Sequence, residues 1–401
     1  MGNSRKERLD HAQSLLKAGA QALTNNDLSE ALLFYQEAFM IRASLLGADH
    51  ADTCEVADAL GQAIVQAGKA SEARAFFTHS LEQHKDPRSE EYLLLGAFFE
   101  RLGNFYNSVE NLYEAREMYE MALSIFHHAH GPEDRQVLYL LQKLVGLSYN
   151  LGDLSAAKTL VERVLALDEK AFGPNHPKVA ADLGSLGSIL KDMGDLQGAR
   201  ASYERAVAIG DQSLNWDNPR LAEDLSCLGE LLVEMGDLSG ALRCAERVLA
   251  IDEKTFGPHH PKIANDLSSI GSLLIQGGHL AEALPHLERA LKINQAALGA
   301  DSPRAITDLS ALGALHQQMG HPAEAEDYFR RAVTAGEQVF GPAHARIAPD
   351  LHKLGEAQLA TGNRSAALEN LRRALQIYEE HLPADHASIQ AAKEVLERAS
   401  H

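Results

Sequence analysis

An all-α fold, an α-solenoid of nine antiparallel helix pairs closed by one capping helix, is what the sequence predicts, on three observations. Alanine recurs without a break every 42 residues, at Ala31, Ala73, Ala115, Ala157, Ala199, Ala241, Ala283, Ala325 and Ala367. Glycine holds a second phase at Gly19, Gly61, Gly103, Gly187, Gly229, Gly271, Gly313 and Gly355, missed only at Val145. Residues 152–190 match 236–274 at 26 of 39 positions, a duplication of whole units. A small residue fixed at one phase of a long period marks two helices that cross too closely for a larger side chain. Stacking such units buries a continuous core, so 401 residues need not share one compact interior, which stops growing near 250–300 residues.

Within one period the elements follow in order. His176-Pro177 opens a first helix, where Leu183, Leu186, Gly187 and Leu190 form one apolar stripe at i, i+3, i+4 and i+7. Met193-Gly194-Asp195 breaks it. A second helix carries Ala199, Tyr203, Ala206 and Val207 on one face and runs to about Ser213. The loop to the next pair is Phe172-Gly173-Pro174-Asn175-His176-Pro177, repeated as Phe256-Gly257-Pro258-His259-His260-Pro261 and as Phe340-Gly341-Pro342-Ala343-His344. Glycine past the helix end is expected in the left-handed conformation, with proline preventing continuation. Pro383 ends the last pair, and Ala387 to Arg398 predicts a nineteenth helix that covers the final apolar face.

The loop histidines His50, His176, His260, His344 and His386 share a phase that Asp134, Asn218 and Ser302 occupy in other repeats. All eight are read as helix N-caps, often with proline at the first helical position. A metal would need converging ligands, whereas these lie one repeat apart. No metal and no cofactor is expected. Most glycines fall at the repeat phases, so none forms a phosphate-binding loop after a strand. No Ser/His/Asp or Cys/His group escapes the repeat, and the chain is read as not an enzyme.

A net charge of −19 argues against nucleic acid, which needs a basic surface. Cys54, Cys227 and Cys244 are too scattered for a disulfide framework and suit a cytoplasmic setting. The longest apolar stretch, Tyr92 to Phe99, stops at Glu100, so no membrane span is expected. Arg5-Lys6-Glu7-Arg8 has no apolar run behind it, and Lys6 stands where a myristoylation site wants Ser or Thr. One domain is expected over 8–399 with a short tail at 1–7. It is irregular at 85–110, where the loop Lys85-Asp86-Pro87-Arg88-Ser89-Glu90 lacks Gly-Pro and Glu110 replaces a turn glycine.

The pattern Leu183…Leu186-Gly187…Leu190…Gly194-Asp195…Ala199…Tyr203…Ala206 resembles the tetratricopeptide repeat, whose usual unit is 34 residues. The longer unit and the Phe-Gly-Pro-x-His-Pro loop are similar to the arrays of kinesin light chains and of many bacterial signalling proteins. The resemblance implies a right-handed superhelix whose first helices line a concave groove for a peptide or helix of a protein partner. In kinesin light chains adjacent asparagines hold the bound chain. Here Gly184-Ser185, Ser226-Cys227, Ser268-Ser269, Ser310-Ala311 and His352-Lys353 stand at the matching positions, so the asparagines are absent.

Three features exceed the repeat. The groove face of the first helices reads Glu55, Asp58, Glu100, Asp192, Glu223, Glu230, Glu234 and Glu356 against Lys191, which would attract a basic segment. The third and fourth repeats are rich in aromatics (among them Phe98, Phe99, Phe105, Tyr113 and Phe126), and Asn104, Asn107, Tyr139, Gln142, Tyr149 and Asn150 fall on the groove face. Amides there could pair with a ligand backbone while tyrosines supply rigid contact area. An Arg ladder (Arg163, Arg205, Arg247, Arg289, Arg331, Arg373) accompanies an Asp ladder (Asp182, Asp224, Asp266, Asp308, Asp350) in which each Asp follows an Arg by 19 residues, which predicts ion pairs between repeats. Trp216 stands alone in its loop. The function expected is a scaffold that binds a peptide or helical segment. The alternative is a sensor array that self-associates or docks on a signalling effector.

Overall fold

The computed structural model describes residues 2–83, 86, 89–212 and 219–400. The cap expected at Asn218, Trp216, and Lys85, Pro87 and Arg88 of the loop at 85–90 lie outside the described residues. In order along the chain come α1 (Gly2–Thr24), α2 (Leu28–Leu46), α3 (Ala51–Ala67), α4 (Ala70–Gln83), α5 (Glu90–Ser108), α6 (Leu112–His130), α7 (Arg135–Asn150) and α8 (Leu154–Phe172). Next come α9 (Pro177–Asp192), α10 (Leu196–Gln212), α11 (Pro219–Glu234), α12 (Leu238–Phe256), α13 (Pro261–Gln276) and α14 (Leu280–Leu298). The last are α15 (Pro303–Gln318), α16 (Pro322–Phe340), α17 (Ala348–Ala360) after a 3-10 turn at Ala345–Ile347, α18 (Arg364–His381) and α19 (Ala387–Ser400). The chain is 85% helical, with no strand among the described residues. It divides into two units, Met1–Ser202 and Tyr203–His401, with the boundary inside α10. Helix α1 already begins at Gly2, so helix occupies the stretch read as a tail. Arg5 donates to the Leu45 carbonyl at 2.9 Å.

The caps explain where helices start. The Nδ1 atoms of His50, His176, His260, His344 and His386 accept the backbone N–H two residues on, at 3.1–3.2 Å. Asp134 and Ser302 make the equivalent bonds to Gln136 and Ala305. Each such bond satisfies one N–H that has no partner inside the helix. The loop glycines depart from expectation. Gly173 has φ 90° and ψ 159°, which is not left-handed helix but a region open essentially to glycine alone. The turn glycine Gly68, at φ 65° and ψ 26°, is left-handed.

The ladders are a set of knobs and holes. All nine ladder alanines are at most 2% exposed. Four residues after each stands the knob. A Cβ added to Gly19 would lie 2.8 Å from the Tyr35 ring, and one on Gly103 2.7 Å from Tyr119. In the second unit the distances are 2.6 Å from Gly271 to Leu287, 2.8 Å from Gly313 to Phe329 and 2.6 Å from Gly355 to Leu371. Ala367 is part of the same crossing, its carbonyl oxygen 3.3 Å from a Cβ on Gly355. Where valine replaces glycine, at Val145, the opposing phase carries the smaller Val161.

The second repeat breaks this rule. Gly61 is filled by Phe105 of α5, not by Phe77 of α4. Phe77 packs instead on Phe98 and Phe99 at ring distances of 5.8 and 5.5 Å, and Phe98 meets Phe39 at 5.1 Å. Helix α5 therefore sits against α2 and α3 as well as α6. The aromatic crowding of the third repeat is the core of this exchange. Tyr113 is the exception, 63% exposed on α6.

The Arg and Asp ladders do not pair with each other at Arg247 and Arg289. Arg247 reaches back to Asp211, Arg289 to Glu253 at 2.5 Å, and Arg373 likewise to Glu337 at 2.5 Å, all between second helices. The Asp ladder points inward instead. Asp308 accepts from Asn294 at 2.6 Å, and Asp266 lies against Asp252, which Lys262 neutralises at 2.9 Å. The 19-residue spacing linked two faces that the helix pair turns apart.

Candidate functional site

In the first unit, neighbouring odd-numbered helices are tied to each other by long side chains. Gln136 of α7 donates to Glu100 of α5, and the Tyr149 hydroxyl of α7 donates to Asp192 of α9. Helices α5 and α7, which carry these links, also hold most of the residues singled out from sequence. Asn107, Gln142 and Asn150 are exposed, and their side-chain amides make no hydrogen bond among the described residues. Tyr139 and Tyr149 are exposed on α7, with Lys143 5.3 Å from the Tyr139 ring centroid. Asp192 raises the pKa of the Tyr149 hydroxyl by accepting its proton in a hydrogen bond.

Two candidates of this group do not serve the face as expected. Glu100 is only 6% exposed, its carboxylate taken by Gln136. Burial pushes its pKa up, against the pull of Gln136 and Lys143. It is thus an internal strut, because the helix phase that looked outward is covered by the following helix. Asn104 is half-buried, and its carbonyl accepts the Tyr119 hydroxyl at 2.9 Å, holding the third repeat's knob in place. Gln136 was not legible as a partner, since nothing in its local pattern shows that it meets an acid 36 residues earlier.

In the second unit Glu223, Glu230 and Glu234 are exposed on α11. Glu223 pairs with Arg220 at 3.4 Å. Glu356 on α17 is drawn inward by His352, Lys353 and Gln317, and its pKa falls to about 2, first through the His352 hydrogen bond. Glu100 and Glu356 are therefore drawn inward, whereas Glu230 and Glu234 are exposed.

These carboxylates set an expected pH profile. Burial lifts Asp224 to about 6, with the Arg220 guanidinium at 3.1 Å pulling the other way. Its folded form holds the proton more tightly than the unfolded form. Its stabilisation is complete below the ordinary 3.8 and lost as pH rises through about 6. Glu356 has the opposite sign, stabilising above its ordinary 4.5 and failing as pH falls towards 2. The thermal midpoint should rise on going from neutral pH to about pH 5, then fall below about pH 4. Asp224→Asn should flatten the neutral limb in a melting series. An unchanged limb would remove Asp224 as its cause.

No helix among the described residues is long and apolar enough to cross a membrane. No curated protein matches the chain. Among solved structures, it is similar to the kinesin light chain TPR-like repeats of Podosopora anserina (23% identity, 51% of this chain and 98% of that one, TM-score 0.45). It is also similar to BtubC (BKLC) of P. vanneervenii (18%, 61% and 95%, TM-score 0.46) and to the apo form of RapI (14%, 71% and 97%, TM-score 0.44). These are likenesses of fold alone. The family model of the tetratricopeptide repeat matches residues 139–212, 221–296, 267–338 and 309–380, together more than half of the chain. With its paired helices and its ladder of small crossing residues, the chain belongs to the tetratricopeptide repeat family.

Proposed function

We propose that this chain is a non-enzymatic scaffold that captures a peptide or helical segment of a partner protein on the exposed face of α5 and α7. The observation that carries the reading is the set of exposed amides Asn107, Gln142 and Asn150, without an internal partner, on two helices that also carry the exposed rings of Tyr139 and Tyr149. Amides left open in this way can bond a peptide backbone, and tyrosines add contact area at little entropic cost. The exposed acids Glu55, Asp58, Glu230 and Glu234 favour a partner with a basic segment. A cytoplasmic setting belongs to the same reading.

Asn107→Ala and Tyr149→Ala test it. Each should weaken capture of the partner, the tyrosine by about tenfold or more, and leave stability within about 0.5 kcal/mol, as expected of exposed side chains. Binding to a basic partner should also fall with salt, since exposed charges are screened over about 8 Å at physiological ionic strength. Stability lost with binding intact would return both residues to a structural role. Salt-insensitive binding would remove the basic segment.

A further inference from the structure

Two inward-facing carboxyl groups of the second unit share a single ammonium. Asp252 of α12 is 2% exposed, and the Lys262 Nζ of α13 lies 2.9 Å from it. Asp266, one turn along α13 from Lys262, lies against Asp252, and its buried Oδ2 meets no hydrogen-bond donor. Two carboxylates beside one ammonium leave the group short of one positive charge, where an uncompensated carboxylate is costly. The next repeat shows another solution. One period on, Asn294 and Asp308 stand at the same two positions, and the amide donates to the carboxylate at 2.6 Å. An amide is a permanent donor, whereas Asp266 donates only when protonated. The same trio of residue types recurs two periods earlier as Asp168, Lys178 and Asp182. Other cations of the neighbouring helices are engaged. Arg247 of α12 is held by Asp211, Arg289 of α14 by Glu253 at 2.5 Å, and Arg304 of α15 by Asn265. On α11, Arg220 pairs with Asp224 at 3.1 Å, and Glu230 lines the same cavity as Asp266, bringing a further carboxylate.

We propose that Asp266 donates a proton to Asp252 across the joint between α12 and α13, and that loss of this proton loosens the contact between the sixth and seventh repeats. The joint is then a pH-sensitive device built into the array, and it stands apart from the scaffold reading. Burial and the Asp252 carboxylate lift the Asp266 pKa from the ordinary 3.8 to about 6, with Lys262 pulling the other way. The folded form therefore binds the proton more tightly than the unfolded chain. Its stabilisation is complete below 3.8 and lost as the pH rises through about 6. Above that, two carboxylates face each other with one ammonium beside them. A solenoid repeat contacts only its neighbours, so a joint weakened in this way is not compensated from elsewhere in the array. The joint at Asn294 and Asp308 supplies the contrast within one chain, because the Asn294 bond favours the charged carboxylate.

Hydrogen exchange of the full chain tests this, read by mass spectrometry over residues 252–266 at pH 5 and at pH 8. Wild type and variants are compared at the same pH, so the intrinsic dependence of exchange on pH cancels. Asp266→Asn gives the joint a permanent N–H donor and keeps the pair between Lys262 and Asp252. It should match the wild type at pH 5 and exchange about tenfold more slowly at pH 8. Asp252→Asn copies the arrangement at Asn294 and should do the same, so it carries the test should Asp266→Asn not fold. The segment around Asn294 and Asp308 should exchange alike in all three proteins. A difference of equal size at both pH values, no difference at pH 8, or faster exchange of the variants at pH 8 overturns the proposal, and leaves the pair held by Lys262 without a shared proton. Failure of both variants to fold overturns it too, because an amide that fits at Asn294 should fit here.

Discussion

Phe98→Ala should cost the first unit about 3–5 kcal/mol, the range for deleting a buried aromatic ring without collapse around it. Phe98 is fully buried and meets Phe39, Phe77 and Phe99 at ring distances between 5.1 and 5.9 Å. It stands where α5 inserts against α2 and α3, so its removal loosens three elements at once. Denaturant unfolding followed by circular dichroism reads the loss. A change below about 1 kcal/mol would mean that the site collapses freely, and that the aromatic exchange in the second repeat is not what holds α5 in place.

Ala199→Leu should cost about 1–3 kcal/mol, as overpacking does. Ala199 is fully buried, and its counterpart Ala367 shows why: the carbonyl there stands 3.3 Å from where a Cβ on Gly355 would lie. A leucine can enter only if two helices move apart. His176→Asn is the contrasting case. Its Nδ1 caps the Lys178 N–H at 3.2 Å and the ring stacks on Phe172 at 4.7 Å. Asparagine can keep the cap and lose only the stacking, so the change should stay within a few tenths of a kcal/mol. Equal costs for the two variants in the same melting experiment would contradict the ladder account.

Periodicity made the helices, their caps and the close crossings at Gly19, Gly103, Gly271, Gly313 and Gly355 legible, because those depend on residues near in sequence or one repeat apart. The ladder alanines are buried as the 42-residue spacing requires, and the five histidines cap as their exchange with Asp134 and Ser302 indicated. Contacts that leave the period were not legible. Phe105 filling Gly61 depends on a shift of α5 that no local pattern encodes. Glu100 looked exposed by helical phase until Gln136, on the next first helix, covered it. Equal spacing also misled: the Arg and Asp ladders share a period of 42 residues yet face different neighbours.

Photocrosslinking tests most directly the claim that partners are held on the first helices. A benzophenone side chain placed at Gln142 on α7 or Ser272 on α13 should form adducts with a bound partner peptide. The same group at Glu246 on α12, exposed on a second helix, should form none. Adducts from Glu246 with none from Gln142 or Ser272 would place the partner on the opposite face and contradict the account.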